Sequence, residues 1–191
     1  KHNYIAAPNA AMLRSRSVRF LHTYSDSLES QKAMTAMLGG QHSWLREEYL
    51  DESFDSLAEV FFRSGFHTTA VVNELALGVH SGLHQGFERY TYLPPNAPFP
   101  FTEGARRVKI IDIFLRLWAD FGGDPGRYHR SSTEVFQQLK DDMLHFDGEN
   151  WFAFAQIREL DPPYFFEDKT GFRRAKKGEE ELAYRERLRR L

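Results

Sequence analysis

The 191-residue chain contains no cysteine, which excludes disulfide scaffolds, thiolate zinc sites, iron–sulfur ligation and thiol catalysis. It also lacks a long apolar run. The most hydrophobic stretch, 108–121, is only about 14 residues long and is broken by Lys109, Asp112, Arg116 and Asp120, too short and too polar to span a bilayer. Phosphate-binding loops are missing, because Gly122-Gly-Asp-Pro-Gly126 has neither the Lys-Ser/Thr ending of a P-loop nor the dinucleotide glycine spacing. No serine nucleophile elbow occurs. Neither sign of charge dominates: 25 basic residues against 27 acidic ones give a net charge of −2. That balance excludes a uniformly basic nucleic-acid binder and a highly acidic solvating chain. What is present is a composition that folds, since 41% hydrophobic and 15% aromatic residues offset the ordering entropy that keeps poorer chains disordered.

The small net charge conceals a segregation. Residues 1–25 hold four basic residues, Lys1, Arg14, Arg16 and Arg19, and no acid. Residues 173–191 hold eight basic against four acidic residues, which leaves 13 basic against 23 acidic in 26–172. The ends therefore carry +4 each and the body −10. Such ends suit an anionic surface or an acidic partner subunit, and equally a solvated tail. The first segment is also rich in Arg and Ser and amphipathic if wound as a helix, so it resembles a mitochondrial or plastid targeting sequence.

Hydrophobic periodicity predicts an all-α protein, an irregular bundle of about five to six helices with a proline-rich extended connection and extended termini. The expected organisation is a basic arm over 1–25, a helical domain over 26–172 and a charged C-terminal helix over 173–191. Asp26 and Glu29 have capping-box spacing for a first helix that Gly39-Gly40 would end. A second is expected over 44–64, stopped by Gly65, and a third over 68–90 on the stripe Val72, Leu75, Ala76, Val79, Leu83 and Phe87. Four prolines interrupt the connection at 93–101. A fourth helix over 102–121 is apolar enough to be buried on most sides, in the core or against a neighbour. Ser131 and Glu134 would cap a fifth, carrying Val135, Phe136, Leu139, Met143 and Leu144. The short apolar run 151–160 fits a strand or a buried helix, and helix is preferred, with Asn150 as cap.

Few residues suggest chemistry. On the expected third helix His80, His84 and Glu88 fall at i, i+4 and i+8, a spacing that can hold one divalent metal from a single face. Position 81 is Ser, so the general-base glutamate of the His-Glu-x-x-His proteases is missing, and further ligands would have to come from His67, His42, His129 or His145. Gly78, Gly82 and Gly86 recur every four residues, and glycine inside a helix costs on the order of 1 kcal/mol relative to alanine. Close backbone approach would compensate; a broken helix is the alternative. Aromatic residues beside prolines at 90–92, 99–101 and 164–166 would serve as interface anchors or as caps on the chain's own core.

The reading that joins these features is a non-catalytic accessory subunit of a larger mitochondrial assembly, of the respiratory-chain, ATP-synthase or ribosomal kind. It is expected to be matrix-facing or inner-membrane-associated. Its partners would be other protein subunits and anionic lipid headgroups, with no specific nucleic acid and no cofactor. Two alternatives stand beside it: an all-α enzyme or metal-binding protein using His80, His84 and Glu88 with one divalent metal, and a bacterial effector, which would be a stable free monomer.

Overall fold

The computed structural model describes residues 8–18, 20–40, 42, 50, 53, 55–95, 105, 107–120, 130–146, 148, 150–160, 164–168 and 171–190. In chain order its regular elements are α1 (Pro8–Ser15), α2 (Ser30–Gly39), α3 (Leu57–Arg63), β1 (His67–Val72), β2 (Arg89–Tyr92), α4 (Lys109–Asp120), α5 (Ser132–Met143), β3 (Trp151–Ala155), β4 (Phe165–Asp168), β5 (Gly171–Arg174) and α6 (Glu180–Arg190). The chain divides into two compact units, one of residues 1–23, 95–132 and 158–191 and the other of 24–94 and 133–157.

The second unit is built on a three-stranded parallel sheet in the order β2-β1-β3. This corrects the all-α expectation; the chain is mixed α/β. The central strand, His67-Thr-Thr-Ala-Val-Val72, is buried from Thr68 onward on both faces. Four of its six residues are β-branched, the composition that a strand flanked on both edges and covered on both faces requires. Two threonine hydroxyls inside a core need partners. Thr68 donates to the Gly86 carbonyl at 2.7 Å and Thr69 to the Asp142 carboxylate at 3.2 Å. Because neighbouring positions in register share a face, Phe152 opposite Thr68 and Phe154 opposite Ala70 lie on the Val72 side. There α3 stacks Phe61 on Phe152 at 4.6 Å, and Leu38, Leu50, Val72, Leu77 and Leu83 form the core with Met34, Tyr90 and Tyr92 against them.

The expected helix over 68–90 is thus β1, two single 3₁₀ turns at Leu75–Leu77 and Val79–Ser81, and β2. The apolar residues recur at three- and four-residue intervals across a strand, two separate turns and non-helical chain, so the spacing does not mark one α-helix running through them. Gly82 and Gly86 have φ of +76° and +80°, a left-handed backbone that no α-helix interior admits. The expected helix over 151–160 is likewise the strand β3 followed by non-regular chain. Of the expected helix over 44–64, Leu50, Ser53, Asp55 and Ser56 are non-helical and only α3 winds; 43–49, 51–52 and 54 lie outside the described residues. The start of α3 is a full capping box, in which the Ser56 hydroxyl accepts the Glu59 N–H at 3.0 Å and the Glu59 carboxylate accepts the Ser56 N–H at 2.6 Å. Helix α2 ends as expected, with Gly40 at φ +65°, but it starts at Ser30 with Glu29 as N-cap and no side-chain cap bond, not on an Asp26–Glu29 capping box; α5 falls where the fifth helix was expected, and α6 fills only Glu180–Arg190 of the helix expected over 173–191, whose residues 173 and 174 belong to β5. Of the proline-rich connection, 93–95 are non-regular and the rest lies outside the described residues.

The first unit contains α1, α4, the antiparallel hairpin β4–β5 and α6. Its clearest fixed point is a buried ion pair between Arg187 of α6 and Glu159, 3.8 Å apart; the Glu159 carboxylate also accepts the Ser132 N–H. Tyr164 meets Tyr184 edge to face at 5.7 Å.

Candidate functional site

In a parallel sheet of order β2-β1-β3 the chain leaves β1 towards β2, on the side away from β3. The carboxyl ends of β1 and β3 lie side by side, at the topological position where open parallel sheets bind ligands. Three polar residues meet there, Asn73 and Glu74 directly after β1 and Gln156 directly after β3. The Asn73 backbone N–H donates to Gln156 Oε1 at 3.2 Å. That donor fixes which way the carboxamide faces, so Gln156 Nε2 is turned to Glu74 and donates to Oε2 at 3.3 Å. Asn73 and Gln156 are both buried. The carboxamide oxygen of Asn73 is enclosed without a hydrogen-bond partner, a state that costs about 1–3 kcal/mol in a folded protein unless something else satisfies it.

The amino end of the sheet is also polar, but its strand residues partner one another. His67 opens β1, places Nδ1 2.9 Å from the Glu88 carboxylate and stacks in parallel on Phe146 at 4.8 Å. The same carboxylate accepts the Thr68 N–H at 3.0 Å. Buried Asp142 of α5 collects the Thr69 hydroxyl, Gln138 Nε2 at 3.1 Å and the Arg89 guanidinium at 3.7 Å.

No known protein family, curated protein or solved structure matches the chain. Function has to be read from these arrangements alone.

Of the residues singled out from sequence, the fold joins His67 with Glu88 and separates the rest. His80 stands in a 3₁₀ turn and is exposed, and His84 follows in a turn, with Nδ1 enclosed and unpartnered and its ring edge-on to Tyr90 at 6.3 Å. The one-face helical geometry that made His80, His84 and Glu88 a candidate metal set is therefore not the one found. Among the described residues no group of three or more His, Asp or Glu side chains is placed to hold a metal ion. His42 pairs with Asp26 at 2.7 Å and His145 with the Asp141 carbonyl at 2.8 Å; His129 lies outside the described residues. Tyr90 of β2 donates its hydroxyl to the Leu77 carbonyl at 2.5 Å, and burial pushes its phenol up to about 12 against a smaller opposing effect of Ser81.

A second candidate lies in the first unit. Helix α4 was expected to be buried on most sides, yet among its described side chains only Leu115 is buried. Ile110 (77% exposed), Ile113 (58%), Phe114 (59%) and Leu117 (53%) stand open to solvent at i, i+3, i+4 and i+7, the spacing with which a helix anchors in a groove of another protein. Exposed Arg107 and Lys109 precede this row. Sequence showed the apolar character of the segment; which side of it stays uncovered depended on the packing.

Proposed function

We propose that the protein is a non-catalytic subunit of a larger assembly, seated by α4 in an apolar groove of a partner protein. The exposed row Ile110, Ile113, Phe114 and Leu117 carries this reading. A protein groove is favoured over a lipid surface because the polar positions of the helix, Lys109, Asp112, Arg116 and Asp120, alternate in sign, whereas interfacial lipid-binding helices have a face rich in Lys and Arg. No helix among the described residues is long and apolar enough to cross a membrane.

Burying the exposed parts of four such side chains contributes roughly 1–2 kcal/mol each, or about 4–8 kcal/mol, which only matches the lower part of the 4–15 kcal/mol lost in association. Helix α4 alone would bind weakly. A lasting subunit needs further contacts, and the basic segments 1–25 and 173–191 are suited to supply them. The acid-free, Arg- and Ser-rich first segment makes a mitochondrial assembly part of the proposal.

Native mass measurement on extract of cells that make the protein tests it. The wild type should run well above the 22.3 kDa of the free chain. Ile110→Asp with Phe114→Asp should release it, while Phe136→Asp, at an exposed position of α5, should not. A wild-type species at 22.3 kDa would overturn the reading and favour the effector alternative; one at twice that mass would assign the face to a second copy.

A further inference from the structure

We propose that a second copy of this chain adds to the three-stranded sheet along β3, antiparallel to it and related by a two-fold axis through Ala153. This goes beyond the subunit reading and rests on the other unit of the chain, so either can fail alone.

Strand β3 is an edge of the sheet, paired among the described residues with β1 alone. The ladder fixes which of its backbone groups turn outward. The His67 N–H donates to the Asn150 carbonyl at 2.9 Å and the Gln156 N–H to the Val71 carbonyl at 3.0 Å. Because alternate residues of a strand bond to the same side, Phe152 and Phe154 direct their N–H and C=O groups to β1, whereas Trp151, Ala153 and Ala155 direct theirs away from it. Among the described residues nothing bonds to those outward groups. Such a row of donors and acceptors is a template for another strand.

Edges of native sheets are usually guarded by a charge, a proline or a bulge. Strand β3, Trp-Phe-Ala-Phe-Ala, has neither charge nor proline, and its register against β1 runs without a bulge from Trp151 to Ala155. The opposite edge strand carries Arg89, and the hairpin strands β4 and β5 carry Glu167, Asp168, Arg173 and Arg174. Among the described edge strands β3 is thus the one without a charged side chain. It also bears Trp151, 51% exposed, an aromatic of the kind that anchors protein interfaces.

The occupant is a second copy because the strand fits itself. Antiparallel pairing joins outward-facing residues to outward-facing residues. With Ala153 on the axis, Trp151 stands opposite the partner's Ala155 on one face, where the small side chain leaves room for the indole. On the other face Phe152 stands opposite the partner's Phe154 in the non-hydrogen-bonded positions, where side chains approach most closely. That face is already aromatic, with Phe152 stacked on Phe61 at 4.6 Å and on Phe87 at 5.8 Å, so the layer continues into the partner. The two-fold pairing uses up both β3 edges and closes the assembly. A parallel copy in register would set Trp against Trp and leave an edge open.

Sedimentation velocity of the purified full-length protein tests this. A strand edge is smaller than the roughly 1,600 Å² of a standard interface, so the wild type should pass from 22.3 kDa to twice that mass between about 1 and 100 µM. Ala153→Pro removes an outward N–H that the β1 ladder does not use, and Pro is tolerated at such an edge position; it should abolish the dimer. Trp151→Lys, at a half-exposed position, should weaken it at least about tenfold. Ile110→Asp with Phe114→Asp should leave it intact. Because the chain has no cysteine of its own, Ala153→Cys reports the register: directly opposed residues lie about 5.5 Å apart at Cα, within disulfide range, so oxidised glutathione should link two copies, and should not link Val60→Cys on exposed α3. A wild type that stays monomeric to about 100 µM, a dimer unchanged by both Trp151→Lys and Ala153→Pro, or no link in Ala153→Cys would each overturn the proposal. A dimer abolished by the α4 substitutions but not by Trp151→Lys would overturn it too and assign the contact to that helix. Should Ala153→Pro fail to fold, Trp151→Lys and Ala153→Cys decide.

Discussion

Gly86→Ala should be among the most damaging single-atom additions to the chain. The backbone there has φ of +80°, and an L side chain in the left-handed region costs roughly 1 kcal/mol or more. Packing adds to this. A Cβ built on Gly86 falls on the Glu59 backbone nitrogen and 2.6 Å from both the Ala58 carbonyl carbon and Glu59 Cα. Those atoms are the first turn of α3 and cannot swing aside as a side-chain tip would. Moving them breaks the Ser56–Glu59 capping box, worth about 1 kcal/mol. It also strains the Ser56 hydroxyl bond to the Gln85 carbonyl, 2.9 Å, and the Thr68 hydroxyl bond to Gly86 itself, 2.7 Å, each worth about 1 kcal/mol. The total is about 3–4 kcal/mol. Gly40 provides the control, because its φ is +65° and a Cβ there meets nothing within 4 Å; Gly40→Ala should cost only about 1 kcal/mol. Gly78 has an ordinary φ of −58°, and a Cβ there would meet the His80 ring at 3.0 Å, which can move, and the Leu75 carbonyl oxygen at 3.1 Å, which must give by a few tenths of an ångström, so Gly78→Ala should cost less than Gly86→Ala. Urea unfolding of the three variants, followed by far-ultraviolet circular dichroism, measures the series. Equal losses at Gly86 and Gly40 would refute the claim that α3 is seated against the Gly86 backbone.

Val71 is fully buried at the centre of β1, and Val71→Ala should cost about 2 kcal/mol, whereas Val60→Ala on the exposed side of α3 should stay within roughly 0.5 kcal/mol; the same urea midpoints check both. Tyr90 should titrate late. Its folded value, about 12, lies above the ordinary 10.0, so the native state holds the proton more tightly. The stability this provides is fully present below pH 10 and is lost as the pH rises from 10 towards 12. Absorbance at alkaline pH should show a late phenol contribution that Tyr90→Phe removes; a variant with an unchanged titration would contradict the burial of that ring.

How far the sequence reveals this fold depends on the element. Helix ends with a local chemical marker were readable: Gly40 after α2 and Gly65 after α3. Strand β1 was hidden because its apolar residues join those of the next two turns into a sequence that mimics one helical stripe. The opposing clues were the β-branched Thr68, Thr69, Val71 and Val72 and three glycines, which a helix would have to tolerate at about 1 kcal/mol each. Weighed together they favour strand and turn. In β3 the alternation Phe152-Ala-Phe154-Ala is a period of two, the mark of a half-covered strand, but five residues are too few to exclude a helix. Asn73, Glu74 and Gln156 had no signal of their own. They become a group only when β1 and β3 are paired, and no local propensity encodes a partner 83 residues away.

The two ends of the sheet then differ in a way that bears on function. At the amino end the polar residues of the strands answer one another: His67 with Glu88, Thr68 with Glu88 and Gly86, Thr69 and Arg89 with Asp142. A buried carboxylate that receives a β1 hydroxyl, a β2 guanidinium and an amide of its own helix fixes the register of α5 on the sheet, which an apolar face alone would leave free to slide. That end has the character of stability. At the carboxyl end a similar relay runs from backbone to Gln156 to Glu74, but there the Asn73 carboxamide oxygen is enclosed with no partner. If the relay served only to hold β1 against β3, an apolar pair at 73 and 156 would do so without the unsatisfied oxygen. Asn73→Leu should therefore leave the protein as stable or make it more stable. A loss of more than about 1 kcal/mol would show that the Asn73 amide is structural after all.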